Sequence, residues 1–133
     1  MTTVFINGTF DILHPGHIAL LNTARSHGDY LVVAIDSDRR VQELKGISRP
    51  VNNQNTRRIM LSNLKAVDLV EIFDTDEELM NIIKTYSPSI MFKGSDWKGQ
   101  SIIGGHLVNH IEYFDRIDDY STTNTIQNII DRR

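Results

Sequence analysis

Short apolar runs and helically spaced apolar positions take turns along the chain. Thr3 to Asn7 (TVFIN) is β-branched and aromatic and predicts a buried strand. After Pro15-Gly16, Ile18, Leu21 and Ala24 recur at helical spacing with Leu20 beside them, and Gly28 closes that helix. Tyr30 to Ile35 (YLVVAI) is apolar throughout, as expected of a strand covered on both faces. A short helix follows from about Asp38 to Leu44. Lys45 to Asn55 (KGISRPVNNQN) is polar, holds Gly46 and Pro50, and predicts a loop. Thr56 to Leu64 predicts a helix, Leu69 to Phe73 a strand, Asp76 to Tyr86 a helix, and Ser89 to Lys93 (SIMFK) a strand. Gly94 to Gly105 is punctuated by glycine and predicts an exposed loop entering a short helix. Ile111 to Phe114 predicts a last strand. Ile126, Ile129 and Ile130 give the closing helix one apolar stripe.

This alternation implies right-handed crossovers and an α/β fold, a Rossmann-like doubly wound parallel sheet with helices on both faces. Ligands of such sheets bind outside the carboxyl ends of the strands, near the switch in strand order. The segments of interest are therefore Gly8 to His17, Asp36 to Asp38, Lys93 to Trp97, and the stretch before the last helix. The length, 133 residues, suits one domain over residues 1–133. With 40% hydrophobic and 23% charged residues the chain is ordinary for a globular protein. A net charge of -3 gives no reason to expect nucleic acid or a membrane surface as partner. The lack of cysteine excludes disulfides and thiolate zinc sites. No run is long enough to span a bilayer, and MTTVFING lacks a basic signal region, so a cytoplasmic protein is expected.

The first strand–helix turn, GTFDILHPGH (residues 8 to 17), carries the candidate chemistry. It lacks the G-x-G-x-x-G fingerprint, so Asp36, placed like a ribose-binding acid, is a weak match; the P-loop pattern is also absent. A helix starting near Pro15 nevertheless points free N–H groups and a partial positive charge at the turn. His14 and His17 stand three apart, each able to donate to a phosphate oxygen and to be protonated near neutral pH. Gly16 lets an anion approach the backbone. The plainer alternative is that His14 caps the helix and His17 is a satisfied core residue. A zinc pair would need a third ligand that His27, His106 and His110 do not clearly offer.

GTFDILHPGH resembles the T/S-F-D-x-x-H-x-G-H signature of the nucleotidylyltransferase superfamily. LKGISRPV (Leu44 to Val51), then Arg57 and Ala66-Val67-Asp68, resembles the middle of bacterial heptose 1-phosphate adenylyltransferase domains. KGSDW (Lys93 to Trp97) is similar to a K-G-x-D-aromatic motif of that family, and YSTTNTI (Tyr120 to Ile126) to its late S-T-T motif. Glycerol-3-phosphate cytidylyltransferases share the plan. The motifs cover nearly the whole chain in the family's order.

The resemblance implies an enzyme joining a nucleoside triphosphate to a phosphorylated small molecule, with the acceptor phosphate attacking the α-phosphate directly and pyrophosphate leaving. It implies ATP with a heptose 1-phosphate; the alternatives are CTP with glycerol 3-phosphate, or a nucleotide-binding module without catalysis. By resemblance His14, His17 and Lys45 are catalytic. Gly8, Thr9, Phe10, Arg57, Gly94, Asp96, Ser121, Thr122 and Thr123 bind the nucleotide, and Lys93 and Trp97 the acceptor. Each also has a plainer reading: Lys45 as solvated surface, Arg57 as a surface ion pair, Ser121 to Thr123 as helix caps, Asp96 as a turn residue. Asp11 is expected to orient the turn. Mg²⁺ is expected, bound mainly through the triphosphate with few protein ligands, and a homodimer is expected. Two departures stand out. IDDY precedes S-T-T where cytidylyltransferases place an arginine, Arg116 being the nearest, and Trp97 stands where the heptose enzymes usually have tyrosine.

Overall fold

The chain was analysed as a computed structural model that describes residues 1–115 and 121–132; Arg116 and Tyr120 lie outside the described residues. Five strands form one parallel sheet in the order β3-β2-β1-β4-β5, with β1 Thr3–Gly8, β2 Tyr30–Asp36, β3 Leu69–Phe73, β4 Ile90–Gly94 and β5 His110–Phe114. Five helices connect or follow them: α1 Pro15–Ser26, α2 Asp38–Lys45, α3 Gln54–Ser62, α4 Asp76–Tyr86 and α5 Thr122–Asp131. The chain reverses its direction of winding between β1 and β4, so the carboxyl ends of these two strands flank the switch point.

Alternation within the strands explains the two cores. Val4 and Ile6 of β1, with Leu31, Val33 and Ile35 of β2, face Leu21 and Ala24 of α1 and Leu61 of α3. Phe5, Val32 and Ala34 face the other way, onto Leu79, Ile82 and Ile83 of α4 and Met91 of β4. The wholly apolar YLVVAI run is thus buried on both sides, as its composition implied. Leu79, Ile82 and Ile83 fall on one face of α4 at i, i+3 and i+4. Burying each stabilises by about 1.5–3 kcal/mol. No helix among the described residues is long and apolar enough to cross a membrane.

Three expectations shift. The helix expected over Thr56 to Leu64 begins at Gln54, because the Asn53 side chain caps it by accepting from the Thr56 N–H, and it ends at Ser62. The short helix expected after the glycine-rich loop is reduced to two 3₁₀ turns, Ser95–Trp97 and Gly105–Leu107. The apolar stripe of α5 is largely uncovered: Ile126 is half-buried, while Ile129 and Ile130 are 61% and 46% exposed. That helix touches the first turn through its start, where the Thr122 hydroxyl donates to the Ile12 carbonyl at 3.4 Å.

Gly28 closes α1 for a reason other than helix termination. His27 already caps the helix in the right-handed region. A Cβ on Gly28 would lie 2.6 Å from the Thr2 carbonyl oxygen and 2.8 Å from Val4 Cγ2. That same carbonyl accepts from the Asp29 and Tyr30 N–H groups and so joins the start of β2 to the segment before β1. Gly28→Ala is expected to lower the unfolding free energy by about 1–3 kcal/mol, seen as a lower urea midpoint at unchanged m-value. Parental stability would mean that the strand ends yield freely.

Candidate active site

The turn after β1 is held by two acids and one unusual backbone. Phe10 is buried with φ 51°, a left-handed conformation costly for a bulky residue. Its ring lies 5.2 Å from the His17 ring, and a Cβ on Gly8 would come within 3.0 Å of it, so Gly8 gives the ring room. Asp11, 4% exposed, accepts from the Val51 and Asn52 N–H groups at 2.7 and 2.8 Å, while the Asn52 amide donates back to the Asp11 carbonyl. Asp11 therefore orients the turn by stitching it to the loop between α2 and α3. The Thr9 hydroxyl donates to the Asp36 carboxylate at the end of β2, at 3.2 Å.

His14 and His17 form a capping box. His14 is the N-cap of α1; its Nδ1 accepts from the His17 N–H at 3.4 Å, and His17 Nδ1 accepts from the His14 N–H at 3.3 Å. The rings stack with centroids 3.8 Å apart. An imidazole that accepts at Nδ1 in its neutral form must carry its proton on Nε2. The cap thus selects the tautomer of both rings. Burial, reinforced by the charges of His14 and Lys45, lowers the pKa of His17 from 6.5 to about 4. His17 is a neutral donor at physiological pH, so the protonation near neutrality that sequence allows an imidazole is not open to this one. The plainer reading of His14 as a cap holds too, since it is a cap whose ring also faces the cleft.

Two adjoining cavities open at the switch point. The larger, about 550 Å³, is lined by His14, Gly16, His17 and Lys45 on one side and Gly94, Ser95, Asp96, Ser121, Thr122 and Thr123 on the other, with Leu20 and Phe114 between. The smaller, about 210 Å³, is lined by Asn7, Gly8, Thr9 and Phe10, by Lys93, Gly94 and Trp97, and by Ile6, His17, Leu20 and Phe92. His17, Leu20 and Gly94 belong to both. A Cβ on Gly94 would meet Asp96 Oδ1 at 2.6 Å, the tip of an exposed side chain that can turn aside. Ser121 caps α5 by accepting from the Asn124 N–H, so the S-T-T segment is both cap and cavity wall. Among the described residues no group of three or more His, Asp or Glu is arranged to hold a metal ion.

Of the residues singled out from sequence, all but Arg57 line one cavity or the other. Gly8, Thr9 and Phe10, expected at the nucleotide, face the smaller cavity beside Lys93 and Trp97. Lys93 Nζ donates to Asn7 Oδ1 at 2.8 Å and sits 5.0 Å from the centre of the Trp97 ring; burial lowers its pKa, partly offset by Asp36. Arg57 is 1% exposed and is neither a surface ion pair nor a cavity residue. Its guanidinium donates to the carbonyls of Asn52, Thr9 and Asp36 and to the carboxylate of Asp38, at 2.8–3.0 Å. It positions the site through the backbone. Sequence reasoning missed Asn7, Leu20 and Phe114. Phe114 ends β5 and Asn7 nears the end of β1, so the carboxyl-end rule alone could have flagged both.

Residues 5–128 match the family model described as cytidylyltransferase-like. The chain belongs to the cytidylyltransferase-like family. Among curated relatives it is 51% identical over 128 residues to the bifunctional protein HldE of Campylobacter fetus, covering 96% of this chain and 28% of that protein. It is 43% identical over 126 residues to the HldE of Aliarcobacter butzleri, covering 95% and 26%. The chain thus spans about a quarter of the length of the curated relatives it matches. Among solved structures it resembles a lipopolysaccharide core biosynthesis protein of Thermoplasma volcanium, with TM-score 0.72 and 28% identity over 89% of this chain and 99% of that one. A pantothenate synthetase of Thermus thermophilus, 13% identical with TM-score 0.62 over 99% of this chain and 67% of that one, shares the fold. The cytidylyltransferase-like match spans β1 to α5, and so takes in every wall of both cavities.

Two stability predictions arise from this geometry. Arg57→Met would leave three carbonyls and Asp38 without their partner and is expected to cost about 3 kcal/mol or more, with Arg57→Lys intermediate because it keeps the charge and loses the fork. Urea unfolding of both variants checks this; a parental Arg57→Met would refute it. For His17, the unfolded chain takes up a proton below pH 6.5 that the folded chain refuses until about pH 4. Its contribution is therefore neutral above pH 6.5, and stability falls as pH drops through the window, by about 3 kcal/mol at roughly 1.36 kcal/mol per pH unit. His17→Gln, which keeps an acceptor for the His14 N–H but does not titrate, should flatten the stability profile between pH 6.5 and 4.

Proposed function

We propose that this chain transfers a nucleotidyl group from a nucleoside triphosphate to a phosphorylated acceptor and releases pyrophosphate, with ATP and a heptose 1-phosphate as the pair. The observation that carries this reading is the stacked His14–His17 pair, fixed as Nε2–H tautomers by its own capping box. It stands beside two cavities that share His17 as a common wall. The larger cavity has the volume of a nucleotide site. Its walls offer a triphosphate the imidazole donors, the Lys45 cation and the hydroxyls of Ser121, Thr122 and Thr123. The smaller cavity offers an acceptor an aromatic wall in Trp97 and a half-buried ammonium in Lys93, which among the described residues donates to the neutral Asn7. The acceptor's phosphate oxygen would meet the α-phosphorus near His17.

On this reading the acceptor oxygen forms a bond to the α-phosphorus as the bond to the bridging oxygen breaks, and its electron pair leaves with pyrophosphate. The site works by holding both partners in line and by donating hydrogen bonds to the charge that develops. A neutral His17 suits this, because a buried Nε2–H stabilises growing negative charge without first surrendering a proton. Asp96, the one carboxylate among the described residues lining the larger cavity, would help hold an Mg²⁺ carried by the triphosphate, which would supply further charge neutralisation. The likeness of LKGISRPV to heptose 1-phosphate adenylyltransferase domains, together with the HldE relatives, supports ATP and the sugar phosphate.

The test is pyrophosphate release with Mg²⁺, crossing ATP or CTP with heptose 1-phosphate or glycerol 3-phosphate. Turnover is expected with ATP and the sugar phosphate. Turnover confined to CTP and glycerol 3-phosphate would overturn the substrates and keep the mechanism. His17→Ala is expected to lower kcat by roughly 10²-fold or more, as for loss of one preorganised donor. His17→Gln, scored beside it, separates loss of the cap from loss of the donor. Full activity in both variants would sink the mechanism.

A further inference from the structure

Among the described residues Arg49, Arg58 and Arg132 hold no carboxylate, and of these three Arg49 alone is partly buried. Arg25, Arg39, Arg40 and Arg57 each hold a carboxylate, on Asp68, on Asp74 and Glu43, on Asp36 and Asp76, and on Asp38. Arg49 holds none. It is partly buried in the loop between α2 and α3, and its one hydrogen bond among the described residues runs from Nη2 to the Thr123 hydroxyl at 3.1 Å. Thr123 lines the larger cavity. Two of the three guanidinium nitrogens, Nε and Nη1, make no hydrogen bond to any described residue.

The position of this cation is not left to the loop. Two and three residues on, the backbone N–H groups of Val51 and Asn52 are gripped by the buried Asp11 carboxylate, and the Asn52 carbonyl is gripped by Arg57. The loop that bears Arg49 is therefore fastened to the same first turn that carries His14 and His17. Its other end runs back to Lys45, on the same cavity wall as the histidines. A half-buried guanidinium loses hydration, and is tolerable only if an anion or several acceptors compensate it. Here a single hydroxyl does so. A planar fork with two unused donor nitrogens matches the spaced oxygens of a phosphate far better than those of a hydroxyl.

We propose that Arg49 binds the terminal phosphates of the triphosphate in the larger cavity and neutralises the pyrophosphate as it leaves. Thr123 holds the guanidinium ready until the phosphates take over the unused donors. The assignment rests on the nucleotidyl-transfer reading above, and it gives the chain a residue for the leaving group separate from the pair that faces the α-phosphate. Arg49 falls in the LKGISRPV segment, where sequence alone marked only Lys45.

The experiment is calorimetric titration of the intact chain with Mg²⁺ and, in turn, inorganic pyrophosphate, ATP and AMP, for the parent, Arg49→Gln and Arg49→Lys. Loss of charge-assisted hydrogen bonds to the terminal phosphates is expected to weaken pyrophosphate and ATP by about 10- to 100-fold in Arg49→Gln, with AMP unchanged and partial recovery in Arg49→Lys. Thermal unfolding of each variant reports whether the loop fastening survives. Equal weakening of AMP and ATP would make Arg49 a loop anchor and overturn the assignment, as would unchanged pyrophosphate binding. A parent that binds none of the three ligands would overturn the nucleotidyl-transfer reading itself, an outcome distinct from the other two.

Discussion

One buried guanidinium holds together the parts from which the cleft is made. Arg57 joins the turn after β1 through Thr9, the end of β2 through Asp36, the α2–α3 loop through Asn52, and the start of α2 through Asp38. Each of these is a place where the chain has left its strand or helix and has carbonyls to satisfy. A parallel sheet ends in such loose carbonyls at its carboxyl edge, and they converge where strand order reverses. A planar five-donor cation can serve several of them at once, which a lysine cannot. The cost of burying its charge is offset by Asp38 and by three oriented carbonyl dipoles. Removing it would free the loop carrying Arg49 as well as the turn carrying the histidines.

The second constraint is local. The N-terminus of α1 has unsatisfied N–H groups, and the chain satisfies them with two imidazoles instead of the usual hydroxyl and carboxamide. The substitution has a chemical consequence. A glutamate at N3 can only accept, but an imidazole that accepts at Nδ1 still has Nε2–H to donate. Structure and chemistry use opposite sides of the same rings. Capping by His14, which looks from sequence like a rival to anion binding, leaves the Nε2–H that the proposed function would use. Burial first, then the charges of His14 and Lys45, keep His17 from taking up a proton, and a proton on Nδ1 would also break the cap.

The strands were legible because their side chains answer to one question, which face is covered. YLVVAI and SIMFK fix β2 and β4 to within a residue, and Asp76 to Tyr86 fixes α4 at both ends. Elements set by a single polar contact were less legible. Asn53 moves the start of α3 two residues forward, a choice that QNTRR does not disclose. Most cleft residues could be placed because motif and carboxyl-end rule agree on them. Arg57 could not, since a charged residue opening a helix reads as surface, and only tertiary structure shows four partners waiting at its position. Arg49 escaped for the opposite reason: its importance lies in partners it lacks, and no sequence pattern displays a missing ion pair.

Charge placement ties these observations together. The chain is acidic overall, with 17 Asp and Glu against 14 Lys and Arg, so at long range it repels a polyanion. Yet its acids are not spread evenly over its bases. Arg25, Arg39, Arg40 and Arg57 consume Asp36, Asp38, Glu43, Asp68, Asp74 and Asp76 away from the larger cavity. Asp11 is spent on backbone N–H groups. The described lining of the larger cavity carries Lys45, two imidazoles and a row of hydroxyls beside Asp96. Donors gathered along one recess act at short range, while the weak long-range repulsion is screened by salt within about 10 Å. On the proposed function, selectivity for a triphosphate would come from the donors of the cleft and not from the charge of the exterior.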